Sequence, residues 1–89
     1  MTPAELLPAR ELEADMLLAV GRYADARAAY EATLTREPRR ARSLFGSARA
    51  AELAGDKAGA RRRYDEFLAQ MTPGDGARPE IVQARAGLR

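Results

Sequence analysis

Carboxylate and guanidinium groups are the main chemically active side chains of this sequence. Its 89 residues include fifteen Lys and Arg and thirteen Asp and Glu, but neither His nor Cys. The sequence therefore lacks the commonest general base, the commonest transition-metal ligand and any thiol nucleophile. None of its carboxylates lies beside a glycine-rich phosphate-binding loop. We accordingly expect no enzymatic activity and no bound cofactor.

Three acidic residues near the start of the chain come closest to a metal-binding cluster. They are Glu11, Glu13 and Asp15. On a helix, residues two positions apart face in different directions, so Glu13 points away from the other two. The spacing therefore does not predict a metal site.

Two clusters of arginine could contact the phosphates of a nucleic acid, to which Lys and Arg supply much of the affinity. They are Arg39, Arg40 and Arg42, and Arg61, Arg62 and Arg63. Asp65 and Glu66 follow the second cluster directly, and the net charge of the chain is only +2. Solvated helix faces explain these arginines better. A small basic helical nucleic-acid-binding protein is the alternative function, and we expect it less than a protein-binding role.

Helices must position these side chains, because the composition disfavours strands. Ala, Leu, Glu and Arg dominate, and Val20, Ile81 and Val82 are the only valine or isoleucine residues. The apolar spacing and the positions of Gly and Pro predict an all-α fold in a single domain over residues 1–89. The predicted helices lie at roughly 3–20, 23–36, 40–54, 57–72 and 79–88.

The chain also repeats itself with a period of 34 residues. This shift superimposes Gly21 on Gly55, and likewise the pairs Tyr30 and Tyr64, and Leu34 and Leu68. Each glycine follows a helical stretch, where a left-handed residue can end a helix. Each is followed by a second amphipathic stretch, in which the tyrosine occupies a core position. Repeated helix pairs of this length stack so that neighbouring pairs bury each other's apolar faces.

These residues resemble the tetratricopeptide repeat, a 34-residue helix-turn-helix unit with small residues at its close-packing positions. The first unit, about 7–40, matches at Ala14, Leu17, Gly21, Tyr23, Ala26, Tyr30, Leu34 and Pro38. The second unit, about 41–74, matches at Leu44, Ala48, Gly55, Ala60, Tyr64, Phe67 and Leu68, and is similar to the last repeat of many bacterial members. The resemblance implies a superhelix of two antiparallel helix pairs closed by a capping helix at about 79–88. It also implies a protein or peptide partner.

The resemblance further implies a binding surface, because the first helices of successive units line a concave groove in such stacks. The predicted groove residues are Glu11, Asp15 and Leu18 of the first unit, and Arg42, Phe45, Arg49 and Glu52 of the second. Periodicity alone also places the second set on one helix face. Arginines beside an aromatic ring could hold a carboxylate and an apolar side chain of a peptide. The alternative is that Glu11 and Asp15 form surface ion pairs with Arg42 and Arg49, worth about 0–1 kcal/mol each.

The first helix has more apolar residues than one neighbouring helix can cover. The predicted self-association face consists of Leu6, Leu7, Leu12 and Met16, with Leu17 beside it. Two units are also fewer than the three or so that such stacks generally need for stability. We therefore expect this face to meet a second copy of the chain, a further repeat or a partner.

The sequence has neither an apolar run of membrane-spanning length nor a secretory signal at its start, Met1-Thr2-Pro3-Ala4-Glu5. We expect a cytoplasmic protein without membrane contact. Its predicted function is that of a protein-interaction module or scaffold, and a homodimer is one form that the interaction could take.

Overall fold

The computed structural model of the protein describes residues 7–71 and 78–88, with the backbone alone at Leu7. The described residues form five helices and no strand: α1 (Leu7–Ala19), α2 (Tyr23–Arg36), α3 (Ala41–Leu53), α4 (Lys57–Leu68) and α5 (Pro79–Gly87). The predicted all-α fold class is therefore confirmed. The predicted start of the first helix, residues 3–6, lies outside the described residues. None of the described helices is long and apolar enough to cross a membrane.

Glycine ends the first helix of each pair, as the repeat predicts. Gly21 and Gly55 have φ angles of 86° and 92°, a left-handed conformation that costs glycine little. At the first turn the amide of Gly21 bonds to the Leu18 carbonyl, and the amide of Arg22 bonds to the Leu17 carbonyl. The same two bonds recur around Gly55. This double closure satisfies the last carbonyls of each helix and reverses the chain into the second helix.

The second helices end differently from one another. Pro38 follows α2 directly after Glu37, and a proline so placed prevents the helix from continuing. In contrast, α4 ends at Leu68, four residues before its predicted end at residue 72. There the amides of Gln70 and Met71 bond to carbonyls three residues back, which tightens the chain into a turn. This earlier end turns Met71 back towards the helical core, against which it packs.

Helix α3 is the centre of the stack, because it packs against α2 on one side and α4 on the other. Its buried positions are Ser43, Leu44, Gly46, Ser47, Ala48, Ala50 and Ala51. Apart from Leu44 these are small residues, so both neighbouring helices can approach closely. The stack extends 44 × 28 × 18 Å.

Helix α5 continues the stack in the position that the first helix of a third unit would take. Its buried residues, Ile81 and Ala84, lie 34 positions after Ser47 and Ala50, which are the residues through which α3 meets the preceding pair. Ile81 and Ala84 join the core formed by Leu44, Tyr64 and neighbouring residues. The predicted closing role of the last helix therefore agrees with where α5 packs.

Two tyrosine rings occupy space that only glycine leaves open. A Cβ atom at Gly46 would overlap the ring of Tyr30, and one at Gly87 would overlap the ring of Tyr64. Tyr30 and Tyr64 are themselves buried, which confirms their predicted core positions. At both positions the ring of one helix therefore packs against the bare backbone of the next.

We predict that Gly46→Ala destabilises the protein, because the new methyl group overlaps the rigid Tyr30 ring. The expected cost is about 1–3 kcal/mol in the free energy of unfolding, typical of overpacking, and it exceeds the gain in helix propensity. Urea denaturation followed by circular dichroism measures it. Arg61→Ala is the control, since Arg61 is an exposed residue of α4 and its change to alanine should stay within about 0.5 kcal/mol. Equal stability of the two variants would contradict the prediction.

Candidate functional site

A groove of about 550 Å³ lies over the face of α3 that is flanked by α1 and α5. It is lined by Asp15, Leu18, Tyr30, Ala41, Arg42, Phe45, Gly46, Arg49, Phe67, Met71, Arg78, Glu80 and Ile81. Five of the seven predicted groove residues, Asp15, Leu18, Arg42, Phe45 and Arg49, are therefore brought together in one cavity. The groove is large enough for a few side chains of a ligand.

The floor of the groove is apolar. The Phe45 ring lies 5.3 Å from the Phe67 ring and 6.0 Å from the Tyr64 ring, centre to centre, in tilted and edge-on arrangements. These rings rest on the core beneath them, whereas Phe45 stays partly exposed to the groove. Leu18, Met71 and Ile81 complete the apolar lining. The floor is consequently rigid and hydrophobic, as in a pocket for an apolar side chain.

Asp15 and Arg42 form an ion pair at one end of the groove. The Tyr30 hydroxyl donates a second hydrogen bond to the Asp15 carboxylate. Burial and this bond raise the pKa of Tyr30 above its ordinary value of 10.0, and the hydrogen bond to Asp15 raises the pKa of Arg42. Both oxygens of Asp15 are thus occupied within the protein, and this pair agrees with the alternative that the sequence left open.

Arg49 differs from the other cations of the groove. Among the described residues no carboxylate lies within ion-pairing distance of it, whereas Arg42 pairs with Asp15 and Arg78 lies 3.5 Å from Glu80. Arg49 is half-buried and close enough to Tyr64 to act on it electrostatically. The groove therefore has three cations, Arg42, Arg49 and Arg78, and two anions, Asp15 and Glu80.

Two predicted groove residues do not line the cavity. Glu52 accepts a hydrogen bond of 2.8 Å from the Tyr64 hydroxyl, which turns it towards α4. Glu11 is fully buried between α1 and α3. Each carboxylate instead serves a contact between helices.

Glu11 is the centre of a buried polar network. Its carboxylate accepts hydrogen bonds from Arg40 at 2.9 Å and from Ser43 at 2.5 Å, and the Ser43 hydroxyl also bonds to Thr33. Burial alone would raise the pKa of Glu11, but the hydrogen bonds and the charge of Arg40 outweigh it and hold the pKa below its ordinary value of 4.5. The network joins α1, α2 and α3. It differs from the expected surface pair, because the partner is Arg40 and the carboxylate is inaccessible.

Several groove residues escaped the sequence analysis, namely Phe67, Met71, Arg78, Glu80 and Ile81. All follow α3 in the sequence, and the last three belong to α5 or its first flanking residue. The 34-residue period could have predicted the α5 residues among them, because Ile81 lies 34 residues after Ser47. Extending the repeat by one more step would have placed α5 beside α3 as a wall of the groove.

The outer surface of α1 is apolar and open. Leu12, Met16 and Val20 are 57%, 64% and 72% exposed, and they lie on one face of the helix. Of the predicted self-association face, Leu6 and the Leu7 side chain lie outside the described residues, and the flanking Leu17 packs partly against the core. Val20 extends this face and was not predicted.

The arginine clusters are partly committed to internal contacts. Arg40 pairs with Glu11, and Arg63 bonds to Glu31 at 2.9 Å and to Glu66 at 2.8 Å. The same Glu31 carboxylate also accepts a bond from Ser47. Arg39, Arg61 and Arg62 remain exposed. Within residues 7–71 and 78–88, no group of three or more acidic side chains is arranged to hold a metal ion.

We predict that Glu11→Gln destabilises the protein most at neutral pH. The folded state depresses the pKa of Glu11, so its charge contributes stability above about pH 4.5, and that contribution is lost as the pH falls further. Removing one partner of the buried pair should cost about 2 kcal/mol at pH 7, since Arg40 can partly reach water. Urea denaturation at pH 7 and pH 3 measures both effects.

The matched control is Glu13→Gln, because Glu13 is an exposed acid on the same helix. Its effect should stay within about 0.5 kcal/mol. If Glu11→Gln lowers the free energy of unfolding by the same amount at pH 7 and at pH 3, the proposed contribution of the Glu11 charge is wrong.

Comparison with protein families explains the repetition of the helix pairs. The model of the family described as tetratricopeptide repeat matches residues 12–76, more than two thirds of the chain. Comparisons with curated proteins and with solved structures give no match. The matched segment contains most of α1, all of α2, α3 and α4, and most of the groove residues. This chain belongs to the tetratricopeptide repeat family.

Proposed function

We propose that the protein is an interaction module that binds a segment of a protein partner in the groove across α3. Tetratricopeptide repeats generally mediate protein–protein interactions, and the family is generally non-catalytic. The observation that carries the proposal is an open cavity with an apolar floor and charged rim on the face shared by α1, α3 and α5. Apolar side chains in such a floor, with a few polar anchors, are the usual basis of peptide recognition.

Nucleic acid binding has less support from the geometry. Arg40, Arg42 and Arg63 direct their guanidinium groups at carboxylates of the same chain. Phosphates would have to compete with these internal partners.

We predict that peptides selected from a displayed random library bind in the groove, and that Leu18→Glu weakens them about tenfold or more. The substitution places a charge in the apolar lining of the groove. An apolar side chain of the peptide would then lose its contact with Leu18 and lie against a charged group. Isothermal titration with synthetic versions of the selected peptides measures the dissociation constants. Circular dichroism must show that the variant keeps its helical content.

The matched control is Leu12→Glu, which changes the same residue type in the same helix but on the outer face. It should leave peptide affinity unchanged. A second measurement does not depend on any variant: amide chemical shifts of the original protein should change mainly in α1, α3 and α5 when peptide is added. Shift changes confined to α2 and the exposed side of α4, or no selectable peptide at all, would overturn the proposal.

A second candidate interaction, self-association through α1, is favoured by a comparison within the chain. Leu12 and Met16 lie 34 residues before Gly46 and Ala50. In α3 these two positions are buried against the preceding helix pair, near Tyr30. In α1 the same positions face water, and they have large apolar side chains where α3 has small ones. Large exposed apolar side chains on one helix face suit an apolar contact with a second copy.

We predict that the protein forms a homodimer that Leu12→Glu weakens. Light scattering over a concentration series should give twice the 9.7 kDa mass of the chain for the original protein and a shift towards monomer for the variant. Leu53→Glu is the control, because Leu53 is also exposed but lies at the end of α3, away from this face. A monomer at every concentration, or a dimer equally sensitive to both substitutions, would contradict the prediction.

A further inference from the structure

We infer that the groove recognises an acidic side chain next to a bulky apolar one, with Arg49 as the anchor for the carboxylate. The inference rests on the proposed function and specifies the chemistry of its ligand. The occupant is an internal segment of a partner protein in which Asp or Glu lies two residues from a large aliphatic or aromatic residue. Its basis is that Arg49 has no carboxylate partner among the described residues, whereas the other charged groups of the groove are paired.

One equivalent position carries opposite charges in the two repeats. Asp15 lies 34 residues before Arg49, and Tyr30 lies 34 residues before Tyr64. In the first repeat the tyrosine hydroxyl and Arg42 both bond to Asp15, so that carboxylate is neutralised inside the protein. In the second repeat the tyrosine hydroxyl bonds to Glu52 instead. In the second repeat the position equivalent to Asp15 is therefore occupied by Arg49. Its charge is not neutralised by the neighbouring Tyr64, whose hydroxyl is uncharged.

Every other charged group of the groove has a partner there. Arg42 pairs with Asp15, and Arg78 pairs with Glu80. Arg49 has no carboxylate within ion-pairing distance among residues 7–71 and 78–88, and it leaves the groove with a net charge of +1. A half-buried guanidinium beside an apolar floor prefers a planar carboxylate, which it can bind with two parallel hydrogen bonds.

The spacing of the ligand follows from α3. Phe45 and Arg49 lie four residues apart on the helix, so their attachment points are separated by about 6 Å along its axis. In an extended peptide, alternate side chains face the same side and are separated by about 7 Å. In a peptide that lies extended along α3, an apolar residue over Phe45 thus places the residue two positions away at Arg49.

The test uses capped peptides without terminal charges, titrated into isotopically labelled protein and followed by nuclear magnetic resonance. The probes are Ac-Ser-Leu-Ser-Glu-Ser-NH2 and the same peptide with Gln in place of Glu. We expect the Glu peptide to bind about fivefold more tightly at low salt, the upper range for a partly exposed ion pair. This preference should shrink as salt is added, because the pair is open to screening.

Arg49→Met removes the charge while it keeps most of the side-chain length, and it should abolish the preference for Glu over Gln. Its thermal unfolding midpoint should stay unchanged, since Arg49 forms no ion pair with any of the residues that the structure describes. Arg62→Met is the matched control, because Arg62 is an exposed arginine on α4 outside the groove. It should retain the full preference.

The outcomes separate the inference from the function on which it rests. Equal affinity for the Glu and Gln peptides, with shift changes still in the groove, would overturn the role of Arg49 and leave the groove as a peptide site. An equal loss of preference in Arg49→Met and Arg62→Met would also overturn that role, because the effect would be one of net charge. Binding of neither probe, together with failure of the library selection, would overturn both.

Discussion

The close approach of α3 to α2 is the constraint on which the rest of the structure depends. The Tyr30 ring lies against the backbone of Gly46, and even one added methyl group would overlap it. Because α3 presents Ser43, Ser47 and Ala50 beside that glycine, the helices pack with few large side chains between them. This thin contact leaves Asp15 of α1 within reach of Arg42, at one end of the groove. A bulkier α3 would separate these groups.

A contact made of small residues does little to fix the position of one helix along its neighbour. The buried polar network around Glu11 fixes that register. Glu11 is satisfied only where Arg40 and Ser43 both reach its carboxylate, so a shift of one turn would leave a buried charge without partners. The Glu31 carboxylate acts similarly in the next layer of the stack, since it binds Ser47 and Arg63 together. Each small serine of α3 therefore has two functions: it allows close packing, and its hydroxyl fixes the register against a carboxylate of the first repeat.

The features predicted correctly from the sequence are those that depend on neighbouring residues. The predictions that were wrong concern side chains whose burial depends on residues distant in the sequence. Gly21, Gly55 and Pro38 marked helix ends because their backbone chemistry acts locally, and the groove face of α3 was found because a helix puts Arg42, Phe45 and Arg49 on one side. Glu11 was misplaced because its burial depends on Arg40, 29 residues away. Nothing in the spacing of Glu11 distinguishes it from Asp15, which does line the groove. The α5 wall was missed for a related reason: α5 was treated as a cap, although its register continues the repeat.

The candidate binding features lie where side chains depart from the 34-residue period. Between the first and second helix pairs, a large side chain meets a small residue and a charge meets its complement: Tyr30 meets Gly46, and Asp15 meets Arg42. At the first end, Leu12 and Met16 hold the positions of Gly46 and Ala50 with no preceding pair among the described residues to face them. In α3, Arg49 holds the position of Asp15, and no carboxylate among the described residues pairs with it. A repeat stack satisfies its interior by periodicity, so the side chains that depart from the period are the candidates for contact with another molecule.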